Sequence, residues 1–519
     1  VTETTVDGIP TLFARREDGQ YAGGIVFRVG WADETLAVRG LTHLVEHLAL
    51  HGVAARDVHH NGETHALHTH LYASGTAEQV VRVLNGVCAA LCDLPVDRLE
   101  TEKEVLRAEA RGRGGAGSSM AGMRHGARGH GLSSYAELGL ANVDAGLTVM
   151  WANEAFSRDN AVLWLSGESM PEGLSLTLPE GERQSLPPVT DVLGPTPAYY
   201  LDGSEDVVHV TAVVPRSCRA MLFTELLSRA LFADLRQRDG LGYSASATYR
   251  VRDAEHAVVA VVADCLPERR GAAVGAVVDT LARLRWGSVP ADELEEVRAA
   301  ALAAVATSRT LPHTGLPARA LEMLLGREPD DPAVLEDELR AVTADDVRAA
   351  AEDFHATALA QVPELGLEWA GWAAAPVSSD TAVDGTGYAS LAADGPTLVV
   401  GDDGLTLRSD RGRSTVHFDR VAAMLAYADG GRSLLGEDGF HVAVEPTLLA
   451  LDEDVVARID AAVDPARVVR RPAREAASLP RPAGHSPEAA GPPAGQGAGE
   501  PLAPSSPLLR RLWRAARGR

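Results

Sequence analysis

His43-Leu44-Val45-Glu46-His47 sets two imidazoles four residues apart in an otherwise apolar run. Four residues is about one turn of α-helix, so His43 and His47 project from the same face. Neutral imidazole nitrogen is a good zinc ligand, and Glu46, between the two, is within reach of a water on such an ion. The order His-x-x-Glu-His is one that catalytic zinc sites use. The other reading of the same residues is a pair of satisfied histidines on a core helix, and a third ligand separates the two.

Glu102-Lys103-Glu104-Val105-Leu106-Arg107-Ala108-Glu109 supplies a candidate on a second helix that begins after the Leu94-Pro95 break. Glu102 and Glu109 are two turns apart and share a face. A site of His43, His47 and Glu109 leaves a fourth position open, as catalytic zinc requires and structural zinc does not. Glu102 then stands behind the ligands. Alone, this Glu/Lys run is a solvated face; beside the upstream motif it reads as part of a metal site.

With these residues in place the chain resembles the pitrilysin/insulinase family of zinc peptidases (inverzincins), in the bacterial branch related to mitochondrial processing peptidase. Asn61-Gly62-Glu63-Thr64-His65-Ala66 resembles the Gly-rich turn and cleft strand that follow that family's zinc helix. Arg158-Asp159-Asn160 through Ser166-Gly167 resembles the last strand of its first domain. Leu235-Arg236 through Gly240-Leu241-Gly242-Tyr243-Ser244 resembles its second-half motif, whose Arg and Tyr lie seven residues apart. The resemblance implies one Zn2+ per chain held by His43, His47 and Glu109, with Glu102 supporting the ligands. It implies Glu46 as general base, Arg236 gripping substrate backbone and Tyr243 stabilising the oxyanion. Glu63, Thr64, His65 and Ala66 would bind substrate by β-addition.

Two departures stand out. The gap from His47 to Glu109, 109 − 47 = 62 residues, is shorter than that family shows, and a helix after the zinc helix is trimmed to Val53 through Val58. The cleft strand carries His65 within a cluster of His59, His60, His65, His68 and His70. That cluster either holds a second metal or reflects alternation on a strand, with His68 and His70 on one face and His65 on the other.

A length of 519 residues allows about three domains with sizeable cores. The formal net charge of −24 argues against nucleic acid as a partner and favours basic or neutral peptides. Cys88, Cys92, Cys218 and Cys265 lack Cys-x-x-Cys spacing and read as buried free thiols, Cys88 and Cys92 on one helix face. No apolar run spans a bilayer, and Val1-Thr2-Glu3-Thr4-Thr5-Val6-Asp7 has no signal character, so a cytoplasmic location is expected. Lys103 is the only lysine, and the wealth of Ala, Gly and Arg points to a bacterial genome rich in G and C.

The predicted class is α/β, in α+β layers: two similar half-domains, each a mostly antiparallel sheet packed with helices. Residues 1–190 form the zinc-binding half. They alternate strands at Thr11–Arg16, Gly24–Val29, Thr64–Ala73 and Ala161–Ser166 with helices at the motif, Ala77–Cys92 and Val96–Arg111. The stretch from Arg111 to Ser119 is a mobile flap or a plain loop. A Pro-rich linker leads to residues 197–366, the half with the Arg/Tyr motif: strand Val207–Val214, helix Met221–Leu235, strands Ser244–Val251 and Ala257–Asp264, then helices from Gly275 to Phe354. Residues 385–466 carry Asp403-Gly404, Asp429-Gly430 and Asp438-Gly439, strong hairpin signals, before one helix at Asp452–Ala462. This small β-rich unit reads as a pleckstrin-homology-like module. Residues 467–519 read as a disordered Pro/Ala-rich tail, disordered most plainly from Pro472 to Pro507, with a basic, apolar end at Pro507–Arg519. That end docks on a membrane surface, a partner groove or the acidic body of the chain, or else it is a solubilising tail.

The family's chamber has four such units and this chain has two, so the resemblance implies a homodimer, or a heterodimer with a related peptidase-like subunit. The function expected is a zinc metalloendopeptidase cleaving peptides or extended protein segments, in general turnover or as a dedicated leader-processing enzyme. The alternative is a catalytically silent clamshell that binds peptide or serves as a scaffold.

Overall fold

The structure, a computed structural model, describes residues 1–53, 57–112, 119–392, 394–410 and 412–482. Strands β1 (Thr2–Val6), β2 (Ile9–Arg15), β3 (Tyr21–Phe27), β4 (His59–Thr64), β5 (Thr69–Gly75) and β6 (Ala161–Gly167) make one sheet, in spatial order β1-β2-β6-β3-β5-β4. Only the β2/β6 pair is parallel. All seven residues of β6 are buried, because both faces of the sheet are covered. Alternation does the sorting: Leu163 and Leu165 face one core, Val162 and Trp164 the other.

The first core is closed by α1 (Leu41–His51), α2 (Ala77–Cys92), α3 (Leu99–Gly112) and α5 (Ala145–Ala155), whereas short α4 (Met120–His125) packs through Met120 against Ala198, Tyr200 and Leu359 of the second half. Val80, Val83, Leu84, Val87 and Leu91 give α2 its buried stripe, and Thr76 with Gln79 forms a capping box at its start.

The second sheet holds β7 (Ala198–Leu201), β8 (Val207–Pro215), β9 (Ala245–Val251), β10 (His256–Asp264), β11 (Leu359–Val362) and β12 (Ala373–Ala374), in order β12-β7-β11-β8-β10-β9. Strand order β2-β6-β3-β5-β4 in the first sheet recurs as β7-β11-β8-β10-β9 in the second, with the same parallel pair next to the same antiparallel one. Helix α6 (Cys218–Leu231) occupies the chain position of α1. Helices α7 (Arg270–Trp286), α8 (Ala291–Thr310), α9 (Leu316–Leu324), α10 (Pro332–Ala341) and α11 (Ala344–Ala356) follow β10. Helix α9 leaves its own sheet: Leu316, Ala320 and Leu324 pack on the outer face of the first one, against Leu12, Val26 and Trp164.

Beyond residue 385 come two four-stranded sheets. Strands β13 (Thr386–Tyr388), β14 (Thr397–Val400), β15 (Gly404–Ser409) and β16 (Gly412–His417) form a meander. Strands β17 (Val421–Tyr427), β18 (Arg432–Gly436), β19 (His441–Val444) and β20 (Val468–Arg471) pair in order β19-β18-β17-β20. Helix α12 (Val455–Ala462) closes the core between them through Val455 and Ile459. Each Asp-Gly dipeptide lies in or at the edge of a hairpin connection.

Several expectations need correction. The strand expected over Thr64–Ala73 is the end of β4, a turn and most of β5, because His65 N–H bonds His68 O at 2.8 Å and closes a hairpin. The helix expected to run to Leu235 ends as α-helix at Leu231 and continues with π-helical hydrogen bonding over Phe232–Arg238. Disorder does not begin at 467: β20 runs parallel to β17, and Arg474 pairs with Asp429 and Glu445 at 2.6 and 2.7 Å. Apolar alternation was too short there to be read as a strand, and its partner lies far back in the chain. Cys92 is exposed, since it is the last residue of α2; Cys88, Cys218 and Cys265 are buried, and all four thiols are free. Residues 113–118 of the glycine-rich stretch, 54–56 of the trimmed segment, and the tail from 483 with its basic end lie outside the described residues. Among the described residues no single helix is long and apolar enough to cross a membrane.

Candidate metal centre

Helix α1 is buried along most of its length, Leu41, Leu44, Val45 and Leu48 facing the first core while His43 and His47 turn toward α3. Its N-terminus lacks the usual capping side chain. The buried carboxylate of Glu34 substitutes, accepting the N–H groups of Gly40 at 2.9 Å and Thr42 at 2.7 Å, and pairing with Arg39 at 3.2 Å. Burial pushes the Glu34 carboxyl up from its usual range, against the pull of Arg39 and these N–H groups.

His43 and His47 meet edge to face with ring centroids 4.8 Å apart. Their Nε2 atoms converge on Glu109 of α3, at 3.8 Å from Oε2 for His43 and 3.6 Å from Oε1 for His47. One ligand atom from each of the three lies within 4.8 Å of the others. The Nδ1 atoms point away to carboxylates: His43 to Glu137 at 2.9 Å, His47 to Glu102 at 3.4 Å. A carboxylate can only accept, so these two contacts favour a proton on Nδ1 and leave Nε2 as the nitrogen turned toward Glu109. This donor set, two imidazoles and one carboxylate with each Nδ1 backed by a further carboxylate, fits zinc. Glu102 is tied in turn to Arg98 at 3.3 Å.

Glu46 lies on the side of α1 that faces β4. Thr64 Oγ1 donates to its Oε2 at 2.6 Å, and a Cβ at Gly62 would fall 2.7 Å from its Oε1, so only glycine lets the strand run this close. Burial raises the Glu46 carboxyl above the usual carboxylate range, opposed by the nearby His43, the Thr64 hydroxyl and His47. A raised carboxyl is better matched to taking and returning a proton near neutral pH.

A cleft of ≈ 670 Å³ opens over these groups and is lined also by Asn61, Gly62, Glu63, Thr64 and His65. Strand β4 is the outermost strand of its sheet on this side, with His59, Asn61 and Glu63 on its exposed face. The expected β-addition segment is corrected by one turn. Thr64 lies at the end of β4 with its hydroxyl on Glu46, and His65 and Ala66 are not on the strand. Their carbonyls already accept the N–H groups of Trp31 at 3.0 Å and Ala32 at 2.9 Å. Glu63 remains on the edge, 3.1 Å from His65 Nε2. One part of the alternation expected for the histidine cluster fails: His65 is not on the face opposite His68 but stacks on it, ring centroids 4.5 Å apart. Burial holds His68 and His70 neutral, down to about 3 and about 4, and the only metal-competent group among the described residues is the one around Glu109.

Arg236 and Tyr243 do not join this site within the chain. Neither lines the cleft; Arg236 stacks on the Tyr243 ring at 4.6 Å and the Phe232 ring at 5.2 Å, and Tyr243 is 74% exposed.

Glu137, Glu34 and Arg39 escaped the sequence reading. Glu137 sits 94 residues from His43 in a stretch of short 3₁₀ turns, where no periodicity marks it. Glu34 caps α1 from six residues before Gly40, outside the window in which capping residues are recognisable.

A family model described as Peptidase M16 inactive domain matches residues 211–301, from within β8 into α8. The matched segment contains Arg236 and Tyr243 and none of His43, His47 and Glu109. Comparison with curated proteins finds no match. Among solved structures, the chain is similar to a protease from Helicobacter pylori, with TM-score 0.59 at 13% identity, covering 69% of this chain and 98% of that one. It is similar to a peptidase M16 inactive domain from Pseudomonas fluorescens, with TM-score 0.58 at 14% identity over 70% and 98% of the two chains. It is also similar to the periplasmic protease PqqL from Escherichia coli, with TM-score 0.57 at 12% identity, covering 84% of this chain and 55% of that one. At these identities the likeness is one of fold: two α/β half-domains similar to those of these proteases and of the M16 inactive domain.

Proposed function

We propose that this chain is a zinc-dependent metalloendopeptidase that hydrolyses peptide bonds in extended segments laid along the edge of β4. The observation that carries the reading is the convergence of His43 Nε2, His47 Nε2 and Glu109, with buried Glu46 between them and an open strand edge. A bound zinc ion supplies Lewis acidity toward the scissile carbonyl and a water of lowered pKa. Glu46 takes the proton from the attacking water and returns it to the leaving amine, its position set by Thr64. Strand β4 aligns the substrate through main-chain hydrogen bonds, which select extended conformation more than side-chain identity. Arg236 and Tyr243 serve the site of a second chain, so the working enzyme is a homodimer or a pair with a related subunit. Their exposure and separation from their own cleft support that arrangement.

The competing reading, a silent peptide-binding clamshell, draws on the same stacking of Arg236 and Tyr243 and on the match to a domain described as inactive. Metal analysis with a peptide-library digest of wild type and Glu46→Gln distinguishes them. The peptidase reading expects about one zinc per chain in both proteins and cleavage only in the wild type. A zinc-loaded wild type that binds but never cuts peptides establishes the silent one.

A further inference from the structure

We propose that the unit from β13 to β20 is the brace of the metal centre. It holds Glu137 against His43 and thereby decides which imidazole nitrogen faces the metal. The consequence for zinc rests on the function proposed above; the placement of the His43 proton does not.

Glu137 lies between Tyr135 and the 3₁₀ turn Leu138–Ala141, in a stretch of short turns from Gly126 to Asn142. Short 3₁₀ turns have little stability of their own, so something outside must position the carboxylate. The C-terminal unit does this at three places. Tyr135 and Leu138, on either side of Glu137, belong to an apolar cluster with Ala422, Ala423, Leu435 and Val469 of that unit. At one end, Ala127 N–H bonds Glu437 O at 3.0 Å, and Arg128 pairs with the Glu437 carboxylate at 2.8 Å. The approach needs Gly126, at φ +74°, since a Cβ there would fall 2.0 Å from Glu437 O. At the other end, Asn142 Nδ2 donates both to Val468 O of β20 at 2.8 Å and to Ala37 O at 3.2 Å, joining the unit to the backbone just before α1.

Between these anchors Glu137 Oε1 is 2.9 Å from His43 Nδ1 and 3.8 Å from Arg39, which is itself paired with the Glu34 cap of α1. One face of the Gly126–Asn142 stretch therefore meets the C-terminal unit, and the other meets the ligand helix. A shift in the first moves the acceptor that keeps the proton on His43 Nδ1. Glu137 is thus a positioning residue, and the C-terminal unit acts through it.

The test uses the full chain labelled with ¹⁵N-histidine and stripped of metal, with the His43 signals identified by their loss in His43→Gln. In the wild type the ring shifts should report a proton held on Nδ1, the nitrogen that faces Glu137. Asn142→Ala and Glu437→Ala should each move His43 toward a mixture of tautomers, and Glu137→Gln should do so further. Arg128→Ala, which removes only the ion pair, is the milder substitute should either of the first two fail to fold. Zinc affinity, measured by chelator competition, should fall about 10-fold in Glu137→Gln, the low end for loss of a ligand-supporting partner, and less in the brace variants. In a Glu137→Gln background the brace variants should add almost nothing. Unchanged His43 shifts in the folded brace variants, or losses that add in full to that of Glu137→Gln, overturn the proposal. A wild type that binds no zinc while its His43 shifts still follow Glu437 and Asn142 overturns the metal reading and leaves the brace standing.

Discussion

The two half-domains are built on one topology, yet a group of side chains that could hold a metal ion is found, among the described residues, in only one of them. In the first, α1 follows β3 and carries His43, Glu46 and His47; in the second, α6 follows β8 at the same point, and its buried residues are Leu222, Phe223, Leu226, Leu227 and their neighbours. Each half also places a carboxylate near a helix end, Glu109 partly exposed and Asp234 buried. Glu109 looks across to two imidazoles, whereas Asp234 is taken by Arg238 at 3.0 Å, by Thr280 at 2.8 Å and by Arg283. The same frame thus carries a candidate ligand set where the carboxylate meets imidazoles, and an ion network where it meets guanidinium groups. What separates the halves is the company that an acidic side chain is given, not the sheet that carries it.

The sharpest way to break this comparison is Glu46→Gln. Cleavage of a model peptide should fall about 10²- to 10⁴-fold while metal analysis shows zinc retained, because the amide keeps the shape but cannot accept the proton. Comparable activity in the variant would remove the chemistry from the first half.

Next in size is an experiment across chains. Glu46→Gln and Tyr243→Phe should each be nearly inactive as pure proteins, and mixing them should restore cleavage, since a mixed dimer pairs one intact Glu46 site with an intact Tyr243 from its neighbour. No recovery after subunit exchange, verified by light scattering, would mean that the second half serves no site in trans.

The two carboxylates are then compared directly. Glu109→Ala should abolish zinc binding with little loss of stability. Asp234→Ala should leave zinc content unchanged but lower unfolding free energy by about 3 kcal/mol, as expected when a largely buried ion network loses its shared partner. Denaturant titration and metal analysis of both proteins read the two outcomes. A smaller effect is expected for Glu102→Ala, which removes the acceptor behind His47: zinc affinity should fall about 10-fold, with the protein otherwise folded.

The smallest effect concerns acid. His68 and His70 are half-buried, and desolvation holds them down to about 3 and about 4, so their folded pKa lies below the unfolded value of about 6.5. Their stabilising contribution is therefore complete above about pH 6.5 and is lost progressively as pH falls toward the folded values. Hairpin β4–β5 should lose hydrogen-exchange protection between about pH 6 and pH 4 before β9–β10, whose only histidine, His256, is partly exposed. Simultaneous loss in both hairpins would count against a local origin.

Much of the site was legible because it depends on helical spacing. His43 and His47 at one turn and Glu102 and Glu109 at two need only an α-helix to share a face, and both helices form where the apolar pattern puts them. The strand pattern was less informative. Thr64 to Ala73 is equally compatible with one long strand and with a hairpin, and the turn is decided by Trp31 and Ala32, whose N–H groups take the carbonyls of His65 and Ala66. The strand at Val468–Arg471 was missed for a similar reason: its pairing partner, β17, is some forty residues earlier, and four residues of alternation are no signal by themselves.

The amino-acid order by itself therefore determined which residues can ligate a metal and which carboxylate stands beside them, since those relations are local and set by the pitch of a helix. Tertiary structure alone decided the rest: that α1 and α3 lie side by side, that Glu137 meets His43 across 94 residues, that Glu34 caps the ligand helix, and that Arg236 with Tyr243 stays away from its own cleft. These contacts join segments with no common period, and they arise only when apolar faces are buried and each buried polar group must find a partner.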